Sequence, residues 1–179
     1  EFRGKALVMS LLISPMIVPV VIIGVASYLF FAPLGMGNSY LSLILVHAVL
    51  GVPFVIITVS ATLQGFNHNL VRAAASLGAS PLTAFRRVTL PLMKPALFSA
   101  GLFQFLWTYN DYFNSLIFIN SVKKYTISLA LRLSVDAESV VVWGRVMAMA
   151  CVAVLPLVLL FFAAQKYFVE GIATSGLKG

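Results

Sequence analysis

Val71-Arg72-Ala73-Ala74-Ala75-Ser76-Leu77-Gly78-Ala79-Ser80-Pro81-Leu82-Thr83-Ala84-Phe85-Arg86-Arg87-Val88-Thr89-Leu90-Pro91 lies between two apolar segments, each long enough to cross a bilayer. Alanine-rich helix formers run up to Gly78, which can take the left-handed conformation that ends a helix. Ser80 then offers an N-cap, with Pro81 at the first helical position. The second short helix carries Leu82, Phe85 and Val88 on one face and is expected to stop at Pro91, which cannot donate to the helix and crowds the turn before it. The reading is a helix, a bend and a helix, a basic amphipathic docking element held by membrane segments.

Composition supports the membrane half of that reading. The 179 residues are 61% hydrophobic and 9% charged, with mean hydropathy +1.03, whereas soluble domains are about half apolar and a quarter charged. A net charge of +7 does not point to nucleic acid, because the basic residues are dispersed among apolar segments and their flanks with no single stripe. They read as topology-setting charge. The lone Cys151 sits in an apolar run, can form no internal disulfide, and is expected to be a packed thiol.

About 20 apolar residues cross a hydrocarbon core of roughly 30 Å. Four segments qualify, near 6–31, 40–63, 96–119 and 142–165, so the expected fold class is an all-α, polytopic membrane helix bundle. Pro15 and Pro19 should kink or break the first, and Pro53 and Pro156 should bend the second and fourth. Arg3 and Lys5, then Arg72, Arg86, Arg87 and Lys94, then Lys166 and Lys178, mark one side as cytoplasmic. The uncharged connection 32–39 belongs outside. So does the connection after the third span, although Lys123, Lys124 and Arg132 are only partly matched by Asp136 and Glu138.

The quoted stretch resembles the EAA loop of the membrane subunits of ATP-binding-cassette (ABC) importers, with Ala73, Ala74, Gly78, Ala79, Phe85, Leu90 and Pro91 in register. Arg72 stands where that family usually has Glu. The resemblance implies a coupling loop over 66–94 that docks on a cytoplasmic ATPase, with Leu77 and Val88 adding to the apolar face. It further implies a multi-pass subunit of the bacterial cytoplasmic membrane, paired with a second permease subunit, homologous or identical, and served by an extracytoplasmic solute-binding protein. This chain would bind no cofactor; ATP and magnesium would sit on the partner ATPase. Residues 1–179 would form one transmembrane domain lacking one or two N-terminal helices, since such subunits usually have about six spans.

Span three carries the polar chemistry. At about 100° per residue, Gln104, Thr108, Asp111 and Ser115 share a narrow arc, with Asn114 beside it. An Asp costs about 2.5 to 3.5 kcal/mol at the centre of a span, so this face should turn from lipid. It is either the wall of a translocation path or a hydrogen-bonded stripe packing helix to helix; Asp111 alone could simply face water. His47 has no metal-ligand neighbour at helical spacing and reads as a hydrogen-bonded core or pore histidine; His68 reads as solvated. Gly144 and Ala148 are in small-xxx-small spacing and read as a packing face. Trp143, Tyr125 and Tyr167 fit an interfacial belt.

No GxSxG, HExxH, CxxC or Walker A run occurs, so no catalytic or metal site is assigned. From Ser14-Pro15 through Thr58–Phe66 to the loop, the chain is similar to polyamine-type permeases. From Trp107–Phe113 through Trp143-Gly144 to Gln165–Gly171 and Gly176–Gly179 it is similar to sugar permeases of the maltose type, with extra residues between Trp107 and Asn110. Sugar or a related polyol is favoured, polyamine being the alternative. A rival of another class, an ion-coupled secondary transporter or channel, would need a midplane relay of charged groups, and Asp111 is the sole acid within any expected span. An intramembrane enzyme would need a nucleophile and base that are not apparent.

Overall fold

Proline, glycine and a few polar side chains decide where the helices of this chain start and break. The computed structural model describes residues 3–136 and 141–176. Their regular structure is helical throughout: α1 (Lys5–Ile13), α2 (Val20–Phe31), α3 (Tyr40–Gln64), α4 (Asn69–Ser76), α5 (Pro81–Ala84), α6 (Leu90–Asn110), α7 (Phe113–Phe118), α8 (Ile127–Asp136) and α9 (Trp143–Gly176), with short 3₁₀ turns between some of them. Glu138 and Lys178 of the charge pattern, and the closing 177–179, lie outside the described residues.

Among the described residues, two helices are long and apolar enough to cross a membrane, Tyr40–Gln64 and Trp143–Gln165; the pair Lys5–Met16 and Val20–Leu34, bent by 100°, makes a third if taken as one span. The bend falls where Pro15 and Pro19 were expected to break the first segment. Pro15 is the second residue of a 3₁₀ turn, Ser14–Met16, and Pro19 is the N-cap of α2. Pro53 and Pro156 sit inside unbroken α3 and α9.

The third segment differs from the expected 96–119 span. It starts earlier, at Leu90, and stops at Asn110, so the expected 96–119 segment is not one continuous helix and the arc argument no longer describes one helix. Polar chemistry makes the break. The Asn110 amide bonds back to the Leu106 carbonyl at 2.8 Å, and the Asp111 carboxylate accepts the Ser115 N–H at 3.2 Å, capping α7. A second correction concerns Pro91. The helix passes through it because Phe85–Thr89 is a π-helical turn in which the Leu90 N–H reaches back five residues to the Phe85 carbonyl. That wider turn relieves the crowding a proline ring causes in an α-helix.

The chain divides into two compact units, Glu1–Pro53 with Gln104–Ala163, and Phe54–Phe103 with Ala164–Gly179. In the first, Leu43, Val46, Phe118, Ile119 and Leu129 form a core against which Tyr28, Phe31 and Tyr112 pack. Phe118 meets Tyr28 edge-on at 5.7 Å and Phe31 at 6.3 Å. The second unit holds the elbow, with Ala84, Met93 and Ala100 buried and Phe54 edge-on to Phe103 at 5.8 Å.

Two expected packing sites are open instead. A Cβ added to Gly144 would meet nothing within 4 Å, and Ala148 is exposed, so the small face of α9 packs on no described part of this chain. Cys151 is exposed on the same helix. Both follow from how little of α9 is covered: only 6% of its most apolar window is buried.

Candidate coupling elbow and polar seam

The elbow is built from local signals. α4 ends in a turn where the Leu77 N–H bonds the Ala73 and Ala74 carbonyls, the Gly78 N–H bonds Ala75, and the Ala79 N–H reaches Ala74 at 3.0 Å. Gly78 has φ of +84°, the left-handed residue the Schellman-type ending requires. Ser80 caps α5 by accepting the Thr83 N–H at 3.3 Å, with Pro81 next to it.

The two arms close on Ala84, which is 2% exposed, while Leu77 is 89%, Leu82 65% and Phe85 49% exposed. Ala74, Ala79 and Val88 are half-buried, Arg72, Ala73, Leu90 and Pro91 exposed. The elbow therefore turns Ala84 inward and offers Leu77, Leu82 and Phe85 outward, flanked by exposed Arg86 and Arg87. Val88, read from the sequence as part of the apolar face, is half-buried and serves more as its underside, as does Ala74. Ala84 escaped notice because an alanine in a short helix gives no pattern of its own.

The polar residues of the third segment gather in the first unit around His47 of α3. His47 Nε2 lies 3.1 Å from Asp111 Oδ2. Asn114 donates to Asp111 Oδ1 at 3.1 Å. Gln104 donates to the His47 carbonyl at 3.0 Å and to Thr108 Oγ1 at 3.2 Å. His47, Asn114 and Ser115 are buried, so Asp111 does not simply face water. It is the hub of a seam.

Small residues let that seam close. A Cβ on Gly51 would stand 2.7 Å from the Gln104 side chain, and one on Gly24 would stand 2.6 Å from Asn114 Oδ1. That Asn114 oxygen and Ser115 Oγ have no hydrogen-bond partner among the described residues; the oxygen lies against the Gly24 backbone, where a weak C–H contact is the compensation within reach. Neither glycine was singled out from the sequence, since nothing in its neighbourhood tells which distant side chain it faces. His47 is hydrogen-bonded and buried, as expected of it, and His68 is exposed at the start of α4.

On the outer connections, the Tyr40 hydroxyl donates to the Lys124 carbonyl at 2.8 Å, and Lys124 Nζ donates to the Asn38 carbonyl at 2.9 Å. The Asn38 side chain accepts the Asn120 N–H at 3.1 Å. The segments 32–39 and 120–125, which charge counting put on one side of the membrane, are thus tied together.

The profile of the family described as binding-protein-dependent transport system inner membrane component matches residues 1–174. The chain belongs to that family. Among curated relatives of this inner membrane component, the probable ABC transporter permease protein YurM of Bacillus subtilis is 31% identical over 179 residues, all of this chain and 59% of that protein. The trehalose/maltose transport system permease protein MalG of Thermococcus litoralis is 27% identical, over all of this chain and 64% of its own. The spermidine/putrescine transport system permease protein PotC of Haemophilus influenzae is 34% identical over 111 residues, 62% of this chain and 43% of that protein. Relatives of both the sugar and the polyamine type are therefore present, as the resemblance implied. The chain spans about three-fifths of the length of YurM.

A solved bacterial ABC transporter involved in the import of the acidic polysaccharide alginate contains a chain superposing with a TM-score of 0.73 at 19% identity, over 94% of this chain and 63% of that one. The fold is thus that of an ABC importer permease.

Proposed function

We propose that this chain is the permease subunit through which a solute passes into a bacterial cell, and that its elbow couples the passage to ATP hydrolysis on separate ATPase subunits. One observation carries the coupling: Leu77, Leu82 and Phe85 stand exposed around a left-handed bend. Three large apolar side chains on an otherwise basic loop form a compact anchor of the type that fills a partner's pocket. The partners in this reading are ATPases holding ATP and magnesium, a second permease subunit, an external solute-binding protein and the lipid itself; membership of the binding-protein-dependent family supports the ATPase and the binding protein. The chain carries out no catalysis.

For the polar residues the geometry favours packing over solute contact. Gln104, Thr108, Asp111, Asn114 and Ser115 bond to one another and to α3, so they hold the broken segment in place and set the shape of the path beside it. Sugars or polyols are the favoured solutes, because YurM, MalG and other relatives that match the whole chain include the sugar permeases. PotC supports the polyamine reading over a shorter match.

The test is Phe85→Asp in the complete transporter. A charge placed in a desolvated anchor pocket should cost about 2 kcal/mol or more, lowering ATPase co-purification and solute-stimulated hydrolysis while leaving membrane insertion intact. Wild-type values for both would remove the elbow from coupling.

A further inference from the structure

The elbow carries charge as well as apolar anchors, and the two are laid out together. By sequence, the unit that holds it, Phe54–Phe103 with Ala164–Gly179, contains six lysines and arginines and one carboxylate side chain, that of Glu170. Whatever Glu170 pairs with, the unit keeps a formal excess of five positive charges. Three of its cations are the exposed Arg72, Arg86 and Arg87. Because α4 packs on both α5 and the turn Phe85–Thr89, all three ride on the same small body as Leu77, Leu82 and Phe85.

Spacing brings these charges beside the anchors. Arg86 follows Phe85 directly and comes about one helical turn after Leu82, while Arg72 sits on the arm that runs out at Leu77. All three are arginines. A guanidinium presents forked donors that pair with a carboxylate, and it sheds water more readily than an ammonium, which suits a contact beside desolvated apolar groups. Shape narrows the partner further. A helix resting on a lipid surface presents one flat apolar face, whereas here the apolar side chains project from two arms joined at a bend with Gly78 at φ of +84°. They call for a concave receiver.

Resting on the coupling reading, we infer that the ATPase surface receiving this elbow is an apolar pocket rimmed by aspartate or glutamate carboxylates. Leu77, Leu82 and Phe85 fill the pocket; Arg72, Arg86 and Arg87 meet the rim. The two sets act at different moments. Attraction between rim charges works before contact, so it governs how fast the elbow docks and is weakened by salt, while the filled pocket governs how long it stays.

The experiment uses the complete transporter in detergent, with its ATPase detached and returned to the immobilised membrane subunits. The rate of return is read at about 0.1 M and about 1 M KCl, where charges are screened beyond roughly 10 Å and roughly 3 Å. The wild-type rate should fall about tenfold or more with salt, and Arg72→Gln combined with Arg86→Gln should slow the return at low salt and flatten the dependence. Arg87 and Lys94 remain in that variant to hold the topology. Lys94→Gln removes a charge farther along the continuing helix, roughly 13 Å past Phe85, and should keep the wild-type dependence. A wild-type rate indifferent to salt overturns the inference, as does a salt dependence that the two arginine changes leave intact. The measurement is repeated in vesicles of phosphatidylcholine with and without phosphatidylglycerol; a dependence seen only with the anionic lipid assigns the arginines to headgroups and overturns it too. If no ATPase returns to the wild-type membrane subunits at low salt, the coupling reading itself fails; if it returns at a rate blind to salt, only the carboxylate rim does.

Discussion

Gly78 combines a left-handed backbone with empty surroundings: its φ is +84° and nothing lies within 4 Å of where a side chain would begin. Its requirement is therefore conformational and not one of space, and the two can be separated. Asparagine tolerates this region and valine does not. Gly78→Asn should keep near-normal ATPase co-purification, and Gly78→Val should lose most of it at equal membrane insertion; equal loss in both would point to crowding by the partner. This glycine was legible in the sequence because a helix ending is local chemistry, with alanines before it and a capping serine two residues after. Gly24 and Gly51 were not, because what each accommodates, Asn114 and Gln104, lies 90 and 53 residues further along the chain.

Among the elements, the break between α6 and α7 shows where pattern reading stops. Neither proline nor glycine marks it, and an apolar count runs straight through to Ile119. The break is set by Asn110 folding back on its own helix and Asp111 capping the next, and it is held by His47 from α3. Because the His47–Asp111 pair is a contact between elements 64 residues apart, single-sequence periodicity carries no trace of it. A double-mutant cycle of His47→Ala and Asp111→Asn, read as thermal unfolding of the purified transporter in detergent, should show a coupling energy of about 1 kcal/mol or more. Additive effects would mean the two side chains are merely neighbours. The opposite error, stopping a helix at Pro91, came from treating proline as an absolute terminator when a π turn just before it suffices to carry the helix on.

For the whole molecule, charge asymmetry assigned the sides and the folded chain ties two segments expected on the same side, through Asn38, Tyr40 and Lys124. Single cysteines at Asn69 and Ser134 in a Cys151→Ala background should label from opposite faces of the membrane, with Asn69 cytoplasmic; labelling of both from one face would sink the topology. The all-helical membrane architecture and the family were readable from composition and one loop. What was not readable is the number of unbroken crossings, since that depends on where hydrogen bonds interrupt an apolar run. The tie also orders events in time. Tyr40 and Lys124 are 84 residues apart, so the early connection must wait, unsatisfied, until the ribosome has delivered the later turn, and closing so large a loop comes late because its entropy must be overcome first. Lys124→Ala should therefore leave the helices inserted yet prolong the interval in which freshly made chains are cut within 32–39 by external protease, an interval measurable by pulse labelling.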